Sequence, residues 1–157
     1  MKLVIGYGNP LRGDDGVGWR VAEAAAAALP DGAAEVLAVH QLTPELAEPI
    51  GRAEAVVFVD ATAEGQAGAV RCFALDDTGS PPASPGSHLT TPAALLFLAE
   101  ALYGRRPPAA MITIAGESFE LSERLTPTVE AALPEALARI LELAGRRSIT
   151  AWPGAGS

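Results

Sequence analysis

Three acidic residues and one histidine are the side chains of this sequence that are best suited to chemistry. Asp14 and Asp15 stand side by side in a glycine-rich stretch near the amino terminus, Asp60 follows an apolar run, and His88 lies in a polar segment. Two carboxylates and an imidazole form a nitrogen and oxygen ligand set that suits a borderline divalent metal and leaves positions free for a substrate. Their spacing alone does not bring these residues together, so the elements that carry them must do so.

The stretch 3–18, LVIGYGNPLRGDDGVG, predicts a strand that ends in a sharp turn. Its apolar run 3–5 is typical of a strand buried on both faces of a parallel sheet. Asn9 precedes Pro10 and is therefore pushed to extended geometry, so the chain must turn there. The unusual residues of the stretch thus begin where the strand ends.

A helix is predicted directly after the two aspartates, because apolar residues recur at helical spacing from Val17 onward. Aspartate is a favoured helix cap, and we expect Asp14 to be the cap and Asp15 to be available for chemistry. Asn9 and Asp14 remain possible additional site residues.

The other apolar runs predict a mixed sheet. Only eight residues, 61–68, separate the third predicted strand from the fourth. A parallel connection needs about a dozen residues, so we expect the fourth strand to run antiparallel to the third. After the first strand, the predicted strands are 35–40, 55–59, 69–75 and 111–115.

Three Thr-Pro pairs each precede a helix-like segment, where threonine can cap the helix and proline suits its first turn. The last pair opens a helix predicted at 126–144, in which Pro134 should produce a kink because it removes a backbone donor. Cys72, in the fourth strand, is predicted to be a small core hydrophobe. The three pairs begin at Thr43, Thr91 and Thr126.

The carboxyl ends of the first and third strands are the predicted location of a site. These strands are neighbours in a doubly wound sheet, so Asp15 and Asp60 can converge there on one ion or water. His88, on the long polar loop 76–90, could complete the group, and His40 at the end of the second strand is its rival. The alternatives are that Asp60 only forms a turn and that His88 is only solvated.

Composition predicts one domain at 1–145 and a loose tail at 146–157. The net charge of −8 argues against nucleic acid and membrane partners, because both are bound by basic surfaces. The single cysteine agrees with a reducing compartment, and the amino terminus lacks a signal-peptide pattern, so we expect a cytoplasmic protein. Leu11 stands where a dinucleotide fingerprint needs its third glycine, so no organic cofactor is expected.

Four segments occur in order along most of the chain: GYGNPLRGDDGVG, VVFVDA, SPGSHLT and GESFELSERLTPTVEAALPEAL. Together they resemble the hydrogenase maturation proteases, endopeptidases that process the large subunit of [NiFe] hydrogenases. The resemblance implies a three-layer α/β/α sandwich of the phosphorylase/hydrolase-like type, on a twisted five-stranded mixed sheet with an antiparallel fourth strand. It also implies that the chain removes a carboxyl-terminal extension from the large-subunit precursor after nickel insertion.

Carried over to this sequence, the family's nickel-recognising set falls on Asp15, Asp60 and His88, and the nickel is supplied by the precursor. Many members have glutamate in place of Asp15, and their histidine follows Ser-Pro directly, whereas two residues separate Pro85 from His88 here. Many members also carry Asp-Gly-Gly where this chain begins His-Gln-Leu at His40. His40 therefore stays a possible contributor.

The sequence offers no Ser-His-Asp or Cys-His arrangement, so we expect direct attack by water, as in an aspartyl protease. Asp15 and Asp60 are the predicted catalytic residues, and the nickel is expected to orient the precursor. Two alternatives remain open. One is a peptidase or amidase with its own divalent metal, and the other is a protein that binds the hydrogenase precursor without cutting it.

Overall fold

The computed structural model of this protein describes residues 1–75 and 90–145. The predicted loop histidine, His88, and the predicted tail at 146–157 lie outside the described residues. In the described ranges, no helix combines the length and the hydropathy needed to cross a membrane.

The described strands form one mixed sheet in the order β2-β1-β3-β5-β4. All neighbouring strands are parallel except β4, which is antiparallel to β5. The predicted direction of the fourth strand is confirmed, although β5 lies between it and the third. The strands are β1 (Lys2–Tyr7), β2 (Ala34–Val39), β3 (Val56–Thr62), β4 (Val70–Leu75) and β5 (Ala109–Ala115).

Helices cover both faces of the sheet, which confirms the predicted three-layer architecture. On one face, Val4 and Val57 pack against Val21 of α1 and Ile140 of α5. On the other, the adjacent residues of the same strands pack against α2 and α3. The α-helices are α1 (Val17–Ala28), α2 (Ala47–Arg52), α3 (Pro92–Tyr103), α4 (Pro127–Glu130) and α5 (Leu133–Gly145), with 3₁₀ turns at Gly13–Gly16 and Pro44–Leu46.

The last predicted helix is two helices, α4 and α5, so the prediction of one kinked helix at 126–144 is wrong. The helix is broken by a turn at Ala131 and Ala132. Pro134 then falls in the first turn of α5, where a backbone N–H has no intrahelical partner and its absence costs little. The break therefore removes the conflict that the proline creates in a continuous helix.

Two further predictions differ from the structure. Of the threonines in Thr-Pro pairs, Thr91 caps its helix by accepting a hydrogen bond from the Ala94 N–H at 3.1 Å, whereas the side chains of Thr43 and Thr126 do not cap theirs. Cys72 is exposed rather than in the core, because β4 is the edge strand of the sheet and, within residues 1–75 and 90–145, no helix covers most of it.

A close contact between glycines brings the start of α1 against the ends of β1 and β3. A Cβ atom added to Gly18 would lie 2.4 Å from the carbonyl oxygen of Val59 and 2.5 Å from that of Tyr7. A Cβ atom on Gly6 would lie 2.1 Å from the carbonyl oxygen of Gly18. Only hydrogen fits at these positions, and the turn that precedes α1 is therefore held over the carboxyl ends of the central strands.

Candidate active site

Asp60 and Tyr7 lie side by side at the carboxyl end of the sheet. The register of β1 and β3 pairs Gly6 with Val59, and Tyr7 and Asp60 are the next residue on each strand. Because side chains alternate between faces, both leave the sheet on the face covered by α2 and α3. Asp60 lies inside β3 and is paired with Thr113 of β5, which corrects the prediction that it follows the end of its strand.

The environment of Asp60 makes it a weak acid. Its pKa is raised from 3.8 to about 6: burial is the largest cause and the nearby charge of Asp15 acts in the same direction, while hydrogen bonding from the Ala61 N–H and the Tyr7 hydroxyl opposes the shift. The bond from the Ala61 N–H to Oδ1 is 2.8 Å long. A carboxyl group with a pKa near neutrality can both take up and release a proton under ordinary conditions, which suits general acid–base chemistry.

Tyr7 is the protonated partner of this carboxylate. Burial raises the pKa of its phenol well above the ordinary value, and the charge of Asp60 and the hydrogen bond to it act in the same direction. The hydroxyl therefore stays a donor throughout the physiological range.

Asp15 is held beside Asp60 by the turn after β1. It lies in the 3₁₀ turn Gly13–Gly16, and its Oδ2 accepts a hydrogen bond of 2.8 Å from the Asn9 N–H. The Asn9 side chain accepts a bond of 2.9 Å from the Leu11 N–H, so both the backbone and the side chain of Asn9 stabilise the turn. At Gly8, φ is +144° and an added Cβ atom would lie 1.9 Å from the Asp15 carbonyl oxygen, so the turn requires glycine there.

Asp14 has a structural environment quite unlike that of its neighbour. Its carboxylate is fully buried and accepts four hydrogen bonds. They come from the Glu117 N–H at 2.8 Å, the Ser118 N–H at 3.0 Å, and the Thr126 N–H and hydroxyl, both at 2.8 Å. Burial raises the pKa of Asp14, but these hydrogen bonds outweigh burial and leave the pKa below its ordinary value.

The prediction that Asp14 caps the first helix is therefore wrong. The cap of α1 is Gly16, and no side chain accepts a hydrogen bond there. Asp14 instead ties the turn after β1 to the segment 117–126, which follows β5. Backbone bonds from the Gly13 N–H to the Ser122 carbonyl oxygen and from the Ser122 N–H to the Leu11 carbonyl oxygen extend the same contact. The Thr126 hydroxyl donates to Asp14, and its side chain accepts no capping hydrogen bond from α4.

His40 is exposed and packs on Trp19 of α1, with ring centroids 5.0 Å apart and ring planes at 56°. In residues 1–75 and 90–145, no three His, Cys, Asp or Glu side chains are grouped so that they could hold a metal ion. The described site thus contains Asp15, Asp60 and Tyr7. His88, the predicted third ligand, lies outside the described residues and stays a prediction.

Sequence reasoning missed Tyr7 as a functional residue. In the sequence it appears only between two glycines of an incomplete dinucleotide motif. The signal that could have found it is the pairing of β1 with β3 as parallel neighbours. When Gly6 is paired with Val59, the next residues, Tyr7 and Asp60, lie beside each other.

A three-layer sandwich with two carboxylates at the carboxyl ends of its central parallel strands has the architecture of an α/β enzyme. Among solved structures, a hydrogenase 2 maturation peptidase from Thaumarchaeota archaeon SCGC_AB-539-E09 is similar, with 27% identity, a TM-score of 0.68, and coverage of 92% of this chain and 97% of the other. The hydrogenase maturating endopeptidase HybD from E. coli is also similar, with 27% identity, a TM-score of 0.62, and coverage of 90% of each chain.

A [NiFe] hydrogenase maturation protease, HycI from Thermococcus kodakarensis KOD1, shares the fold, with a TM-score of 0.74, 20% identity and coverage of 92% of each chain. No family profile matches the sequence, and no curated protein matches it. The chain is a structural relative of the hydrogenase maturation proteases, and the resemblance predicted from its four motifs is confirmed.

Proposed function

We propose that this protein is an endopeptidase that removes the carboxyl-terminal extension of a [NiFe]-hydrogenase large-subunit precursor. The observation that carries the proposal is the pairing of Asp15 with Asp60 at the carboxyl edge of the sheet, where the charge of one acts on the other. This pair lies in a fold that the chain shares, over at least 90% of its length, with a maturation peptidase and a maturating endopeptidase.

The two carboxylates support direct hydrolysis by water. As water attacks the carbonyl carbon of the scissile peptide bond, one carboxylate of the pair takes the proton that the water loses. The acid formed in this way delivers a proton to the leaving amine nitrogen, the C–N bond breaks, and the pair returns to its starting charge. Two interacting carboxyl groups with different environments suit this order of proton transfers, because one can be protonated while the other is ionised.

Nickel enters the proposal as part of the substrate. Asp15, Asp60 and His88 are the residues proposed to recognise the ion that the precursor carries, and such a donor set suits nickel. A precursor without nickel would lack this anchor. Processing would then wait until the metal centre is complete, and selectivity would come from a missing interaction rather than a clash.

The test is to mix the purified protein with nickel-loaded precursor and to follow the mass of the large subunit. We expect a loss of mass equal to the extension, and no loss with nickel-free precursor. Stable binding without a loss of mass would show a non-cleaving binding protein. Stoichiometric metal in the freshly purified protein, together with cleavage of nickel-free precursor, would show a hydrolase with its own ion.

The partner proposed here is therefore a protein. The net charge of −8 disfavours nucleic acid and anionic lipid surfaces. A cytoplasmic location is part of the proposal and rests on the use of a single cysteine.

A further inference from the structure

Tyr7 places a hydroxyl group on a carboxylate of the candidate site. It is the last residue of β1, its ring packs partly buried on the apolar cluster beneath α2 and α3, and its hydroxyl lies close enough to Asp60 for the charge of that carboxylate to act on it. The other tyrosine of the chain, Tyr103, ends α3 with 52% of its surface exposed. The chain therefore contains one tyrosine at the site and one natural control.

Two donor groups lie at the Asp60 carboxylate. The Ala61 N–H donates to Oδ1 at 2.8 Å, and the Tyr7 hydroxyl approaches from the neighbouring strand. An ionised carboxylate has about four lone-pair positions, so two donors leave others for a substrate. A carboxylate that accepts from both donors is confined to one orientation, because its rotation would break one or both bonds.

A phenylalanine would fill the same space beneath α2 and α3. The hydroxyl is what distinguishes tyrosine here, and a buried hydroxyl without a partner would be unfavourable. Asp60 lies beside Tyr7 on the neighbouring strand and offers an acceptor to this hydroxyl, so the role of the hydroxyl is tied to the carboxylate rather than to packing.

We propose that Tyr7 is a positioning residue whose hydroxyl holds the Asp60 carboxylate in the orientation that peptide-bond hydrolysis requires. This inference rests on the function proposed above. Reactions of this kind depend on geometry, and loss of a hydrogen bond that orients a reacting or ligating group typically lowers activity about 10- to 100-fold.

The test compares Tyr7→Phe with Tyr103→Phe, since each variant loses one phenolic oxygen. We expect Tyr7→Phe to lower kcat for precursor processing about 10- to 100-fold and to change KM less than about 3-fold, because the substrate still binds but the carboxylate is no longer held. Tyr103→Phe should match the wild type. A wild-type kcat for Tyr7→Phe would overturn the inference, and so would a lowered melting temperature with unchanged kcat.

A second measurement does not depend on activity. In the ¹³C spectrum at constant pH, Tyr7→Phe should shift the Asp60 carboxyl resonance, while the Asp14 resonance and both resonances in Tyr103→Phe stay in place. If the wild type fails to process the precursor, the proposed function is wrong, and the Asp60 resonance alone decides whether Tyr7 orients the carboxylate. An unshifted Asp60 resonance would overturn the inference in either case.

Discussion

Adjacent aspartates of the same chemical type have opposite roles in this protein. Asp14 is fully buried and accepts four hydrogen bonds from residues more than 100 positions away, whereas Asp15 accepts one bond from the nearby turn. The difference arises because a 3₁₀ turn points successive side chains in different directions. At this position, therefore, one carboxylate stabilises the fold and the next is the one that we propose to act on a substrate.

Asp15→Asn and Asp60→Asn should each lower the processing rate about 100-fold or more, because the amide cannot take up the proton of the attacking water. Neither change removes packed apolar atoms, so neither variant should melt at a lower temperature than the wild type. Mass spectrometry of the large subunit gives the rate, and calorimetry gives the melting temperature. Processing at the normal rate in either variant would show that the residue only forms a turn.

Asp60→Asn should also change how stability depends on pH. Because burial raises the pKa of Asp60 from 3.8 to about 6, the stability linked to its protonation is complete below 3.8 and is lost as pH rises through 6. Asparagine stays neutral. Between about pH 4 and about pH 8, the wild type should therefore lose about 1–3 kcal/mol of its free energy of unfolding relative to the variant. Parallel curves would contradict a half-buried carboxylate with a raised pKa, and Asp31→Asn, at an exposed position, serves as the control.

Asp14→Asn should destabilise the protein by about 2–4 kcal/mol, because an amide cannot accept all four hydrogen bonds that the buried carboxylate accepts. The pKa of Asp14 is lowered, so its contribution to stability is present above the ordinary value and is lost as pH falls through the lowered one. Urea unfolding measures the effect, with Asp31→Asn again as the matched control. Equal stability of the two variants would refute the structural role of Asp14.

At the scale of elements, the junction between α1 and the sheet decides where Asp15 lies. The added Cβ atom at Gly18 would approach two carbonyl oxygens of the backbone within 2.5 Å. Neither oxygen belongs to a side chain that could rotate away. The helix and the strand ends would have to separate, and Asp15 would move with the helix.

Gly18→Ala should therefore lower the free energy of unfolding by about 1–3 kcal/mol or more and reduce processing as well. The control is Gly145→Ala at the end of α5, where an added Cβ atom would meet nothing within 4 Å. Urea unfolding compares the two. If both variants behave alike, close approach at Gly18 does not position the site.

The two histidines belong to different elements and should contribute differently. His40 follows β2 and packs on Trp19, whereas His88 is predicted to lie in a loop that can close over a protein substrate. We expect His88→Ala to weaken the affinity for nickel-loaded precursor more than His40→Ala does. Titration of each variant with that precursor gives the affinities, and a larger loss for His40→Ala would reverse the assignment.

At the scale of the whole molecule, β1 and the turn after it are bonded to elements from the second half of the chain. At the carboxyl edge of the sheet, the turn after β1 is bonded to the segment 117–126. At the opposite end of β1, the buried Lys2 donates a hydrogen bond of 3.1 Å to the carbonyl oxygen of Ala144 near the end of α5. The segment 117–126 lies within the fourth motif of the predicted resemblance, GESFELSERLTPTVEAALPEAL. Its hydrogen bonds to Asp14 give that motif a structural role, because they hold the turn that carries Asp15.

The sequence by itself determined the features that depend on neighbouring residues. The strand, turn and helix around Asp15, the antiparallel β4 after a short link, and the position of Asp60 near the end of a central strand all follow from local backbone preferences and connection length. Only the tertiary structure decided which side chains meet. The partners of Asp14 come from beyond β5, and Tyr7 lies beside Asp60 because β1 and β3 are neighbours in the sheet. Cys72 is exposed because β4 is the edge strand. Such contacts join residues far apart in the chain, and no local pattern specifies them, because they depend on which elements finally pack together.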